Sequence, residues 1–178
     1  MATTAETLGF TGVFVTDHPA PPKSFLDTGG HHTLDPMITW RCGNFNKKIK
    51  LLTNLYIVAY RNPLLVAKMV ASLDNLSLGR LILGVGAGYL KEEFQATGAD
   101  YENRGQLLDD YIEIMKQAWT GNPVSMKGYN FEAKKIISLP TPVLQDGDSS
   151  PPIWIGGNSK NALERRAVSA KDGFRWPP

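Results

Sequence analysis

Residues 81–88 read Leu-Ile-Leu-Gly-Val-Gly-Ala-Gly, an apolar run that ends in alternating glycines. The run is continuous, which is typical of a strand that is buried on both faces. Similar short apolar runs occur at residues 13–15, 51–58 and 153–155, and a fifth begins at Gly173-Phe174. Segments with helical periodicity separate these runs. The pattern predicts an α/β fold with βα units and a mostly parallel sheet, either doubly wound or a (β/α)8 barrel.

Local capping signals mark the predicted helices. Asp35-Pro36 and Asn62-Pro63 each place a good N-cap residue before a proline that suits the first helical position. The first predicted helix ends at residue 8, before Gly9, and the second begins at Asp35-Pro36. Further helices are predicted over residues 62–76, 91–96, about 103–119 and about 160–170. The last of these is capped by Asn158 or Ser159. A hairpin is predicted over residues 124–138, turned at Lys127-Gly128.

Length and charge restrict the class of protein. The chain has 178 residues, which fits one domain over residues 1–178, and its net charge is +2. That weak charge argues against nucleic acid or an anionic membrane as the main partner. No apolar run approaches the ~20 residues of a membrane span, and the first residues carry no signal-peptide pattern. The single cysteine, Cys42, excludes an internal disulfide framework and fits the reducing cytoplasm, where we expect the protein.

Polar residues and glycines follow the predicted strands. They are Asp17 and His18 after the first strand, Thr53 and Asn54 within the second, Gly84 to Tyr89 after the third, and Gly156 to Ser159 after the fourth. Sites in parallel α/β folds collect at the carboxyl ends of strands. We therefore expect these residues to meet at one rim and to form a single site.

The segment Gly156-Gly157-Asn158-Ser159 precedes a predicted helix. Two glycines allow a ligand to approach the backbone closely, and the unpaired N–H groups of a helix start bind anions. Arg165 and Arg166, further along this helix, are able to add positive charge. The segment thus predicts a phosphate-binding loop, and an ordinary tight turn with a good cap is the alternative.

Asp17-His18 stands at the end of the first predicted strand, where a proton-transfer pair is useful. Histidine titrates near neutral pH and can hydrogen-bond a cofactor or a substrate. The alternative is a loop-capping aspartate beside an exposed histidine. His31-His32 is not accompanied by a cluster of carboxylates or cysteines, so no metal site is predicted.

Other residues are interpreted structurally. Gly84, Gly86 and Gly88 resemble a dinucleotide fingerprint, but Tyr89 occupies the position that requires glycine or alanine. An NAD-binding Rossmann domain is therefore a weak alternative. Close packing of this backbone against a flat ring system fits better. Trp40, Tyr111 and Trp119 are predicted to pack in the core, and Glu92 and Glu93 to form a solvated helix start.

The order of these motifs resembles the luciferase-like monooxygenase superfamily, and most closely its branch that uses the deazaflavin coenzyme F420 in place of FMN. The resemblance covers nearly the whole chain. It rests on Gly9-Phe10 to Asp17-His18, Asn62-Pro63 to Lys68, Leu76 to Tyr89, Pro152 to Gly157, and Asp172-Gly173-Phe174.

The resemblance implies a (β/α)8 barrel with a flavin or deazaflavin at its C-terminal face. It implies that Asp17 and His18 lie beside the ring, that a bulge with a non-prolyl cis peptide near Asn54-Leu55 backs the ring, and that Gly84, Gly86, Gly88 and Tyr89 line the rim. It implies that Gly156, Gly157, Asn158 and Ser159 hold the cofactor phosphate. Sugar-phosphate dehydrogenases of the superfamily carry a catalytic glutamate where this chain has Tyr89, which argues against that activity.

The leading hypothesis is an oxidoreductase that transfers hydride between reduced coenzyme F420 and a small organic substrate, with His18 as proton donor or hydrogen-bond partner of the ring. An FMN-dependent luciferase-like monooxygenase is the nearest alternative. A non-catalytic fragment or cofactor-binding module is another.

Length adds a further expectation. A complete barrel has eight strands and ~250 residues. The sequence predicts about five strands, and the first of them matches the second strand of the family. We therefore expect an incomplete barrel that lacks its first strand and its C-terminal units. Its open sheet edges, at residues 13–15 and at Phe174, favour pairing with another strand and thus homo-oligomers.

Overall fold

The computed structural model describes residues 2–30, 35–42, 48–143 and 150–169. The strands are β1 (Gly12–Val15), β2 (Lys50–Thr53), β3 (Leu81–Val85), β4 (Val124–Lys127), β5 (Glu132–Ile136) and β6 (Ile153–Ile155). The helices are α1 (Ala2–Thr7), α2 (Lys23–Asp27), α3 (Pro36–Cys42), α4 (Pro63–Ser77), α5 (Lys91–Thr97), α6 (Arg104–Trp119) and α7 (Lys160–Ser169), with a 3-10 turn at Val58–Tyr60.

The main sheet has the strand order β1-β2-β3-β6, and every pair in it is parallel. Helices connect successive strands, so the α/β class with a parallel sheet is confirmed. Among the described strands, β1 and β6 form the two outer edges, and the sheet does not close. The fifth strand predicted at Gly173-Phe174 lies outside the described residues.

The core lies between the sheet and the helices α4 and α6. Val66, Ala67 and Val70 on α4 are fully buried. Trp119 at the end of α6 is also fully buried, and its indole N–H donates to the carbonyl of Ala67 at 3.0 Å. Trp119 is therefore a core residue, as predicted, and so is Tyr111. The predicted core residue Trp40 has a side chain outside the described part.

Side-chain caps begin three helices at the predicted places. The carboxylate of Asp35 accepts from the backbone N–H of Met37 at 2.9 Å. The amide oxygen of Asn62 accepts from Leu64 N–H at 2.9 Å, before the proline that opens α4. Of the two candidates at α7, Ser159 is the cap, and its hydroxyl accepts from Ala162 N–H at 3.3 Å.

The second predicted strand is shorter than residues 51–58, because β2 ends at Thr53. The chain then turns at a cis peptide between Asn54 and Leu55, and Tyr56 forms an isolated bridge to Val85 of β3. The apolar residues after Thr53 are nevertheless buried, and Tyr56 and Val58 are fully so. A continuous apolar run therefore indicates burial here, while the strand itself ends halfway along it.

Two further differences concern loops. The segment between β1 and α3, where the sequence predicts no helix, contains the short helix α2. The predicted hairpin exists as β4 and β5, but its turn spans residues 128–131 and is closed by a 3.0 Å bond from Gly128 N–H to the Phe131 carbonyl. None of the helices in the described segments is both long and apolar enough to cross a membrane.

Candidate functional site

A cleft of about 1180 Å³ opens at the carboxyl ends of the four parallel strands. Every residue predicted for the site lines this cleft, so the expected convergence on one rim is found in the structure. These residues are Asp17, His18, Asn54, Leu55, Gly84, Gly86, Gly88, Tyr89, Gly156, Gly157, Asn158 and Ser159.

Asp17 is buried and takes Arg61 as its partner. The Arg61 guanidinium donates to both carboxylate oxygens of Asp17 at 2.8 Å, and Ile57 N–H donates to the same carboxylate at 2.9 Å. Burial alone would lower the pKa of Arg61, but the hydrogen bonds and charge of Asp17 raise it above its usual range. Arg61 also reaches Asp35 at 3.2 Å. Asp17 is therefore bonded directly to the segment that follows β2, and Arg61 connects it to Asp35 at the start of α3.

His18 takes a different carboxylate. Its Nδ1 lies 3.1 Å from Oε2 of Glu93, whose side chain is 1% exposed. The Tyr60 hydroxyl donates to the same oxygen at 3.2 Å, and Ala20 N–H donates to Oε1 at 3.2 Å. Asp17 and His18 are thus adjacent in sequence, but their side chains lie in two separate hydrogen-bond groups.

The prediction of a solvated Glu93 is wrong, whereas Glu92 is exposed as expected. The reason is the orientation of α5. Phe94 is fully buried, and the helix face that carries it also directs Glu93 towards the cleft. The apolar pair Leu90 and Phe94, four residues apart, is the sequence signal for this inward face. A buried carboxylate is stable there because Ala20 N–H and the Tyr60 hydroxyl donate to its oxygens and His18 Nδ1 lies within hydrogen-bond distance.

Aromatic rings surround His18 on the side of the cleft mouth. The His18 ring centroid lies 4.9 Å from that of Phe25 and 6.1 Å from that of Tyr89. Burial, followed by the charge of Glu93, raises the pKa of Tyr89. Phe25 belongs to α2, which the sequence did not predict, so it was missed as a neighbour of the site.

The glycines of the rim make room for protein atoms. A Cβ at Gly84 would strike the carbonyl of Thr53, and one at Gly88 would lie 2.7 Å from the Phe94 ring. A Cβ at Gly86 or at Gly156 would strike the side chain of Leu55. Leu55 follows the cis peptide, which lies where the resemblance implied it. Gly86 and Gly156, which follow β3 and β6, thus make room for the Leu55 side chain in the cleft.

The opposite end of the cleft is formed by residues 156–159 and the start of α7. Gly157 has a φ of 106°, a conformation that glycine adopts without strain. Arg165 lines the cleft from α7, and its guanidinium forms two hydrogen bonds to Asp109 at 2.6 and 3.0 Å. Its charge is therefore shared with a carboxylate. The side chain of Arg166 lies outside the described part.

A metal site is not found in the described segments, where no group of three histidine, cysteine, aspartate or glutamate side chains is arranged to hold an ion. His31 and His32 lie outside those segments.

The chain is similar to several known proteins. A protein of Mycobacterium tuberculosis, named F420-dependent hydroxymycolic acid dehydrogenase, is 31% identical over 98% of this chain and 46% of its own length. The solved structure of an F420-dependent secondary alcohol dehydrogenase with an F420-acetone adduct has a TM-score of 0.71 and 26% identity, over 86% of this chain and 45% of that one. The monooxygenase RslO1 from Streptomyces bottropensis has a TM-score of 0.73 and 26% identity, over 85% and 44%.

The chain thus spans about half the length of the relatives that it matches. Residues 1–174 match the sequence profile of one family over nearly the whole chain. The chain belongs to the luciferase-like monooxygenase family.

Proposed function

We propose that this chain forms the cofactor-binding part of an F420-dependent oxidoreductase that acts on a small organic substrate. The single observation that carries the proposal is the cleft, which brings a glycine-rich helix start and a partly buried histidine–glutamate pair into one space. Similarity to the F420-dependent dehydrogenases supports the choice of cofactor.

The residues present fit such a cofactor. Backbone N–H groups and the Ser159 hydroxyl at the start of α7 suit a phosphate, since a helix N-terminus favours anions. Leu55, seated against Gly86 and Gly156, offers an apolar surface for a flat ring. Asn54, Gly84, Gly88 and Tyr89 would lie along the edges of the ring.

A bound deazaflavin supplies hydride transfer at its C5 position. The chain supplies orientation and proton handling. His18 would hold or release a proton beside the ring. Asp17, being bonded to Arg61, would keep the end of β1 in place without exchanging a proton itself. Phe25 and Tyr89 would exclude water from the same end of the cleft.

The test is a titration of the purified chain with F420 and with FMN, followed by the fluorescence of each cofactor. We expect F420 to bind more tightly than FMN, and Ser159→Ala to weaken that binding. Tight FMN binding without F420 binding would overturn the proposal in favour of an FMN-dependent monooxygenase. Binding of neither cofactor would favour the non-catalytic fragment.

We further propose that the four parallel strands correspond to part of a (β/α)8 barrel, in which the first described strand takes the place of the second barrel strand. Residues 1–178 would then form one partial domain. The open edges expected at β1 and at the predicted strand that begins at Gly173-Phe174 favour pairing with a further strand. We expect the isolated chain to self-associate through these edges, and a monomer in sedimentation equilibrium would contradict this.

A further inference from the structure

We propose that Glu93 is a positioning residue that holds His18 in the tautomer with the proton on Nδ1. Its part in catalysis rests on the proposed function, whereas the tautomer itself does not. Glu93 lies on α5, after the third strand, and His18 follows the first strand, so the contact joins two separate parts of the cleft.

The hydrogen-bond pattern around Glu93 supports an acceptor-only carboxylate. Its side chain is 1% exposed, and that of His18 is 10% exposed. Three groups lie within hydrogen-bond distance of its two oxygens, namely Ala20 N–H, the Tyr60 hydroxyl and His18 Nδ1. An ionised carboxylate only accepts hydrogen bonds, so the imidazole nitrogen that faces it has to carry a proton.

The backbone N–H of Ala20 determines which oxygen of Glu93 must accept a hydrogen bond. A hydroxyl reverses its role easily, and a neutral imidazole changes its role by changing tautomer, but a backbone N–H always donates. The oxygen Oε1 of Glu93 is therefore fixed as an acceptor by Ala20. The other oxygen is left to His18 and Tyr60, and both donate to it while the group is a carboxylate.

The tautomer decides what the histidine offers to a ligand. With the proton on Nδ1, the neutral ring carries its lone pair on Nε2, which is the nitrogen not bonded to Glu93. In the other tautomer Nε2 would donate. Glu93 would thus set the hydrogen-bonding sense of His18 without touching cofactor or substrate itself, as carboxylates do for other catalytic and metal-binding histidines.

Glu93→Gln provides a selective test. We expect the glutamine amide oxygen to face Ala20 N–H, because that group can only donate. The amide NH2 then faces Nδ1 of His18, which has to become the acceptor, so the proton moves to Nε2. The substitution preserves size and shape, replaces an acceptor by a donor at Oε2 and removes the negative charge. Glu92→Gln removes an equal charge one residue away and therefore controls for the loss of charge.

The measurement is ¹⁵N NMR of the ring nitrogens in the full chain labelled at histidine, at a pH where the imidazole is neutral. The chain has three histidines, and the signals of His18 are assigned by their loss in His18→Asn. We expect a protonated Nδ1 in the wild type and a protonated Nε2 in Glu93→Gln. Glu92→Gln, one residue away and exposed, is the matched control and should leave the wild-type pattern unchanged.

Either of two results would overturn the proposal: a wild-type His18 protonated on Nε2 when neutral, or an unchanged tautomer in a folded Glu93→Gln. If that variant fails to fold, as judged by circular dichroism, the wild-type spectrum and Tyr60→Phe decide. Tyr60→Phe keeps Glu93 and should keep the proton on Nδ1, and its loss from Nδ1 would contradict the proposal. The NMR samples contain no cofactor, so this test does not depend on F420 binding. A failure to bind F420 would refute the proposed function but not the proposed tautomer.

Discussion

Arg61 and Asp17 form a bidentate ion pair, in which both hydrogen bonds are 2.8 Å long. The Asp17 side chain is 2% exposed and that of Arg61 is 20% exposed. The guanidinium also lies 4.3 Å from the centroid of the Tyr56 ring, which is fully buried. The pair therefore connects the segment after the first strand to the turn that follows the second, beside the cleft that Asp17 lines.

Replacing Arg61 by leucine should strongly destabilise the chain. Asp17 would remain buried without its charged partner, and loss of one member of such a pair costs about 3–5 kcal/mol. Urea unfolding measures the change in free energy. Lys23→Met is the matched control, because the Lys23–Asp27 pair has side chains that are 85% and 57% exposed, and its loss should cost less than about 1 kcal/mol. Equal effects of the two changes would contradict this.

Gly156→Ala should disturb the cleft through Leu55. The new methyl group would strike the Leu55 side chain, which then has to move into the cleft or the backbone has to shift. We expect a loss of about 1–3 kcal/mol in the free energy of unfolding and at least about tenfold weaker F420 binding. Gly12→Ala is the control, because the nearest atom to its Cβ is 3.4 Å away. Unaltered F420 affinity in Gly156→Ala would speak against Leu55 as the support of the ring.

Ser159→Ala separates helix capping from ligand binding when it is compared with Asn62→Ala. Both remove a side-chain N-cap, at α7 and α4 respectively, and each should cost about 1 kcal/mol in unfolding free energy. Only Ser159 lines the cleft. We therefore expect weaker F420 binding in Ser159→Ala alone, measured by fluorescence titration. A similar loss of affinity in both variants would indicate a general effect of stability.

Asp74→Asn should change how stability depends on pH. Asp74 is fully buried in α4, its carboxylate accepts from Val143 N–H at 2.9 Å, and burial raises its pKa. A raised pKa means that the folded chain binds this proton more tightly than the unfolded chain does. The wild type therefore loses stability as pH rises from the unfolded pKa, about 4, through the folded one. Asparagine does not titrate, so the Asp74→Asn variant lacks this loss of stability.

The measurement for Asp74→Asn is urea unfolding of the variant and the wild type at a series of pH values between 4 and 8. The difference in unfolding free energy should move in favour of the variant as pH rises. A difference that stays constant with pH, or that moves the other way, would show that the folded environment does not favour the protonated carboxyl.

The position of the cleft was predictable from the sequence, since many of the residues that line it follow strands that the apolar runs reveal. Leu81–Val85 and Ile153–Ile155 are strands at the predicted residues. Because neighbouring parallel strands end at the same edge, the segments after them had to meet. Helix starts were equally predictable, because caps such as Asn62 act within three residues along the chain.

The partners within the site were not predictable in this way. Glu93 and His18 are 75 residues apart, and nothing in the local sequence of either indicates the other. Phe25 reaches His18 from a five-residue helix that is too short to show a periodic pattern. The end of β2 at Thr53 could not be predicted either, because the apolar residues that follow it are also buried. These features depend on tertiary packing, which a single sequence shows only indirectly.

The place of β6 in the sheet has a consequence for the order of folding. Leu83 pairs with Ile153, about 70 residues away along the chain, whereas β1, β2 and β3 pair over shorter separations. Closing the longer loop costs more chain entropy, and β6 has only three residues whose pairing with β3 offsets this cost. Hydrogen exchange should therefore be fastest at β6. A phosphate held by residues 156–159 would slow that exchange, because a ligand that binds only when β6 is paired with β3 stabilises that pairing by mass action.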